Sequence, residues 1–147
     1  MAGRRGRRFR PGKEKMADKD ERFEAGMKVR REMFGLAGAD QQYESTPNFM
    51  KPLQDAVTSY CFGDGWTDPT LDRKTRSMLT IAILVSIGKP NQLRTHVRGA
   101  IANGVSVDEI RSVIMHAMIY AGVPAGVDAF LNATEVLGEL GVLDQAS

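Results

Sequence analysis

Glycines at positions 88, 104, 122 and 141 cut the second half of this 147-residue chain into helical runs, and no other feature restricts its fold as strongly. Each stands where a run of helix formers ends, a place where a left-handed residue closes a helix at little steric cost. Start signals follow closely: Pro90, then Ser106 with Glu109 three residues later, then Pro124. Proline suits the first helical position because the N–H it lacks would have had no partner there. Ser106 and Glu109 form a reciprocal capping pair. The punctuation predicts helices from Leu71 to Ile87, Pro90 to Asn103, Asp108 to Ala121 and Pro124 to Leu140.

Upstream, helix formers run from Lys19 to Phe34, and the segment GLAGADQQYES then reads as a loop. Thr46 as N-cap and Pro47 as first helical residue announce another helix through FMKPLQDAVTSYCF, with Pro52 confined to its early turns. FGDGWTDP, which carries Trp66, reads as turn chemistry. No stretch alternates with period two, so the expected class is all-α: a single domain of about six helices over residues 18–147. The last ten residues of the Leu71–Ile87 run are apolar almost all round, which marks it as a central, enclosed helix. Ile110, Val113, Ile114, Met115, Met118 and Ile119 add more apolar surface than one small core needs, a sign of subunit packing or of an adaptable Met-rich core.

Composition excludes several classes. MLTIAILVSIG, at 78–88, is too short to span a bilayer. A single cysteine, Cys61, allows neither an intramolecular disulfide nor a C-x-x-C pair and fits a reducing compartment. Residues 1–15 hold seven Lys/Arg against one Glu, which leaves 13 basic and 17 acidic groups and a net charge near −4 in the rest. We read residues 1–17 as a basic disordered arm, since its composition supports no core. A nucleic-acid role would rest on that arm alone, and the acidic body argues against it. RRGRRFR is followed by no apolar segment, so it is not read as an export signal, and the expected location is the cytoplasm.

The chain has two histidines, His96 and His116. Helical spacing places Leu93, Val97, Ala100 and Ile101 on one apolar stripe with His96 at its margin, on the side of Gln92 and Asn103. A histidine there serves either as a hydrogen-bonded core residue or, at the edge of a cavity, as a proton-transfer group. His116 shares a face with Tyr120, and together these residues could line a polar pocket between consecutive helices. Two histidines without a well-spaced carboxylate give no metal site, and no phosphate loop, G-x-S-x-G or H-E-x-x-H motif is present. An enzyme built on this chain is expected to work without a cofactor.

LDRKTRSMLTIA followed by NQLRTHVRGAIANGVSVDEIRSVIMHAMIYAGVPAGVDAF resembles the carboxymuconolactone decarboxylase family, an all-α group that includes alkylhydroperoxidase D-like proteins. FGDGW looks like its decarboxylase branch. The resemblance spans about Phe34 to Leu140. The peroxidase branch carries C-x-x-C-x-x-x-H, and here Lys89 and Gln92 occupy the cysteine positions ahead of His96. Without those thiolates the peroxidase mechanism has no nucleophile. The decarboxylase branch usually has Glu where Gln92 stands, and a neutral amide orients an imidazole without adding charge.

The resemblance implies cofactor-free decarboxylation of 4-carboxymuconolactone to β-ketoadipate enol-lactone, a step of aromatic degradation through protocatechuate, or action on another small lactone or carboxylate. It implies His96 as proton donor or oxyanion partner, with Gln92 orienting it. Arg76 is the candidate for carboxylate recognition, or else makes an ion pair, and Arg98 is a second candidate. His116, Tyr120 and Trp66 are candidate cavity residues. A homo-oligomer, trimer or hexamer, is implied as well.

Overall fold

The computed structural model describes residues 14–143, so the expected basic arm lies, up to residue 13, outside the described residues. The order is α1 (Glu14–Leu36), a π-helical turn (Ala37–Gln41), α2 (Gln42–Glu44), a 3₁₀ turn (Asn48–Met50), α3 (Lys51–Ala56) and a π-helix (Val57–Gly65). Four longer helices follow: α4 (Arg73–Ser86), α5 (Pro90–Ala102), α6 (Val107–Ala121) and α7 (Val123–Glu139). Among the described residues there is no strand, and no helix is long and apolar enough to cross a membrane.

The second half folds as its punctuation predicts. Gly88, Gly104, Gly122 and Gly141 all take positive φ. Ser106 Oγ accepts from the Glu109 N–H at 3.1 Å and Glu109 Oε2 accepts from the Ser106 N–H at 2.8 Å, which completes the capping pair. Asp72 caps α4 by accepting from the Thr75 N–H at 2.7 Å. α4 packs on α5 and α6, and α7 packs on α5 and α6. Their shared interior is Ile81, Val85, Leu93, Val97, Ile110, Ile114 and Val136, all buried. Its buried Ser77 accepts a hydrogen bond from Asn103 Nδ2 at 3.0 Å.

Four expectations need correction. Thr46 caps no helix, because its Oγ1 donates back to the Gln42 carbonyl at 2.6 Å, and Pro47, at ψ 148°, precedes a 3₁₀ turn rather than opening the helix. Residues 35–45 are not a loop: Gly35, at φ 68°, breaks α1, and the chain then winds again around the fully buried Ala39, fastened by Arg31 to Asp40. FGDG is not a turn either, because the helix widens into π-helical geometry and continues to Gly65. Gly63 is needed there for close approach, since a Cβ would lie 2.3 Å from the Arg22 carbonyl oxygen. Gly26 does the same from the opposite helix, where a Cβ would lie 1.8 Å from the Thr58 carbonyl oxygen. Finally, α4 is not enclosed. It buries Ile81 and Val85 but exposes Leu79, Ile83 and Ile87, because only two helices and part of a third cover it.

Candidate active site

The close crossing of α1 and the π-helix, beside α5, builds a second and smaller apolar cluster around Val29, Met33 and Phe62, with Phe34, Val57 and Trp66 against it. His96 enters this cluster from α5. Its imidazole stacks on Trp66, with centroids 5.9 Å apart and planes 17° apart, and meets Phe34 edge-on at 5.8 Å. Trp66 stacks in turn on Phe62 at 6.0 Å. The ring is thus gripped by aromatic faces on two sides.

Those apolar neighbours set its charge. Burial pushes the His96 pKa down from 6.5 to about 4, since no nearby anion supports the imidazolium. At neutral pH the side chain is an uncharged imidazole. Its Nδ1 is buried and has no hydrogen-bond partner.

His96 lines a cavity of about 320 Å³ with Gln92, Asn91, Thr95, Phe34 and, from the far side, Arg30, Gln42 and Gln54. Arg30 is 3% exposed. Its Nη1 donates to Thr58 Oγ1 at 2.7 Å and Gln54 Oε1 at 3.1 Å, and its Nη2 to Gln42 Oε1 at 3.0 Å and the Gly38 carbonyl at 3.4 Å. Every one of these acceptors is neutral. Burial lowers its pKa, only partly offset through space by Asp40 and Tyr43. Among the described residues three buried side-chain polar atoms lack partners, and two of them, Arg30 Nε and His96 Nδ1, belong to residues lining this one cavity. An orphaned buried donor or acceptor costs about 1–3 kcal/mol.

The other residues singled out from sequence are distributed as follows. Gln92 lines the His96 cavity from one turn back, at an exposed position. Trp66 forms the stacked wall behind His96. Arg76 lies beyond Trp66 in a separate cavity with Cys61 and Leu79, where its Nη2 donates to the Asp68 carbonyl at 2.9 Å and its Nε to that of Leu71 at 3.2 Å. Arg98 pairs with Glu139. His116 and Tyr120 pack together, rings 5.3 Å apart, on α6, and His116 faces another cavity with Met78 and Val113. They do not join His96 because α6 packs on α4 and α7, whereas the cavity face of α5 is turned to α1. Among the described residues no three His, Cys, Asp or Glu side chains gather as a metal site.

Sequence reasoning missed Arg30, Gln42, Gln54 and Phe62. Arg30 had a readable signal: it sits three residues after Met27 and three before Met33, both buried, so a cation stands in an apolar helical stripe.

A model of the carboxymuconolactone decarboxylase family matches residues 51–135, which include the π-helix, His96 and most of the four-helix unit. The chain belongs to the carboxymuconolactone decarboxylase family. It is 36% identical over 123 residues to the 4-carboxymuconolactone decarboxylase of Acinetobacter baylyi, covering 84% of this chain and 92% of that one. It is 33% identical over 118 residues to a nitrosuccinic acid decarboxylase of Metarhizium robertsii, covering 80% of this chain and 82% of that one. Arg30 lies outside the family-matched span.

Proposed function

We propose that this protein is a carboxy-lyase that converts 4-carboxymuconolactone to β-ketoadipate enol-lactone without a cofactor. The observation that carries the reading is the neutral, ring-clamped His96 with an unpartnered Nδ1, set in a small cavity that also holds a buried cation. Family membership and the relative in Acinetobacter baylyi support it.

The chemistry asks little of the protein. Cleavage of the C–C bond to the ring carboxylate releases CO2 and leaves its electron pair conjugated through C=C to the lactone carbonyl, as a dienolate. The substrate is its own electron sink. A proton then adds to carbon and restores the lactone. His96 acts on the oxygen that gains charge, as a preorganised neutral hydrogen-bond donor in an apolar site. Growing negative charge also raises its depressed proton affinity, so the imidazole takes a proton from water at the mouth, whose hydroxide leaves to bulk solvent, and passes it to carbon. Gln92 adds an amide at that mouth and orients the imidazole in the complex. Trp66 and Phe34 hold the ring in place.

Mixing the protein with freshly generated 4-carboxymuconolactone should release CO2 with loss of the lactone's ultraviolet absorbance. Undiminished activity in His96→Ala would remove the residue from the mechanism, and no turnover by the intact protein would remove the substrate. A second reading, decarboxylation of another small acid, is favoured by the relative in Metarhizium robertsii and by the neutral Gln92. Gln92→Glu separates the two: stronger lactone turnover favours the first.

The exposed apolar side chains of α4, α6 and α7, among them Ile83, Ile119, Val127 and Leu131, support assembly as a trimer or hexamer. In such an assembly Arg76 makes an intersubunit ion pair, and Arg98 serves as a structural bridge through Glu139. Light scattering on the eluted protein tests the assembly, and a monomer would refute it.

A further inference from the structure

Arg30 and Arg31 are successive residues of α1 with inverted environments. Arg31, on the surface, grips Asp40 side-on: Nε donates at 2.9 Å and 3.1 Å and Nη2 at 2.7 Å. Arg30, buried, has no ion pair among the described residues and only neutral acceptors. Physical chemistry favours the opposite arrangement, because an unpaired buried charge is the costly one. Phe62 under the guanidinium, 5.9 Å from its ring centre, compensates only in part.

The bonding of Arg30 is also uneven around its fork. Nη1 and Nη2 each donate to two acceptors, the longest contact being Nη2 to the Gly38 carbonyl at 3.4 Å, whereas Nε has none. Nε and Nη2 form one edge of a guanidinium, the same edge with which Arg31 binds its carboxylate. Arg30 therefore brings to the wall of the His96 cavity a guanidinium with no ion pair among the described residues and an Nε without an acceptor, on the edge that can take a carboxylate side-on once the Gly38 contact gives way.

We propose that Arg30 is the carboxylate anchor of this cavity, and that it selects compact dicarboxylic acids: one carboxylate stays on Arg30 while the other departs beside His96. The anchoring claim stands on the cavity alone, whereas the departure of the second carboxylate rests on the carboxy-lyase reading above. The flanking amides of Gln42 and Gln54 hold the fork from both sides and turn to accommodate the incoming oxygens. At about 320 Å³ the cavity has room for a small acid. Retention on Arg30 accounts for how a site can keep hold of its product's precursor while one charged group leaves as neutral CO2.

Trp66, the single tryptophan of the chain, stacks on His96 and gives the readout. Succinate, which has no electron sink and does not react, should change Trp66 fluorescence saturably, and its neutral diamide, succinamide, should not. Arg30→Met should abolish the succinate response and raise KM for the lactone. Arg30→Lys, which keeps the charge but loses the fork, should weaken succinate binding roughly tenfold or more. Circular dichroism checks that each variant is folded, and the lysine variant keeps the test decisive if the methionine variant is not. Equal responses to succinate and succinamide, or succinate binding unchanged in the folded variants, would overturn the anchor. Arg30-dependent succinate binding by a protein that releases no CO2 from the lactone would support the anchor and reject the decarboxylation reading instead. Turnover with normal KM in Arg30→Lys would do the reverse.

Discussion

Between α4, α5, α6 and α7 the interior is apolar and every polar intrusion is answered: Ser77 is the buried exception, and Asn103 bonds it. Between α1, the π-helix and α5 the interior is apolar around groups left unanswered, Arg30 Nε and His96 Nδ1. The helices differ in the same sense. The first region uses regular, capped helices, and the second uses a broken α1 and a π-helix brought together by glycines without room for a Cβ. One region is fully paired, and the other leaves part of its stability unrealised at the cavity where the proposed ligand would bind.

The sharpest way to break this contrast is to damage each region and compare stability with turnover. Ile114→Ala, in the answered interior, should lower folding free energy by about 2–5 kcal/mol in urea unfolding while leaving turnover per folded molecule unchanged. A loss of catalysis in the folded fraction would mean that the two regions are not separable.

The unanswered region should show itself next, through pH. His96 binds protons more weakly folded (pKa about 4) than unfolded (6.5), so its contribution is fully present above pH 6.5 and is lost as pH falls through 4. Urea unfolding should show stability dropping by about 3 kcal/mol across that window from this residue. His96→Phe should flatten the drop and leave stability at pH 7 equal or higher, with decarboxylation lost. A proton-NMR titration of His96 with a midpoint near 6.5 would contradict its burial among the rings.

Smaller effects calibrate the frame. Ser106→Ala removes a cap and should cost about 1 kcal/mol in thermal or urea unfolding, without changing turnover. Arg98→Ala, which breaks an exposed pair with Glu139, should cost less than about 1 kcal/mol and leave lactone KM unchanged in the folded protein. A raised KM there would place a charge on the ligand's path.

Legibility in the sequence follows the same division. Helix stops and starts are local events, so Gly88, Pro90, the Ser106–Glu109 pair and Gly122 could be read directly and were found as expected. The margin position of His96 was also legible, because it depends only on spacing along α5. What was not legible depended on packing between distant segments. Gly63 in FGDGW looks like a turn residue until Arg22 is seen against it, and GLAGADQQYES looks like a loop until Ala39 is seen buried. Arg30 could be noticed as a cation in an apolar stripe, but its neutral partners come from residues 8 to 28 positions away. His116 and Tyr120 pair as helix neighbours, as i,i+4 spacing requires, yet spacing could not say that α6 turns them away from His96.

The cavity takes His96 from within the span 51–135 and Arg30 from a helix ahead of it. Inheritance can therefore act on the two walls separately. If Arg30 anchors the acid as proposed, substitutions along α1 or at Gln42, both ahead of that span, would alter which acid is admitted while the imidazole and the rings stacked on it stay unchanged. Under that proposal, recognition of the acid could change without touching the residue assigned to move the proton.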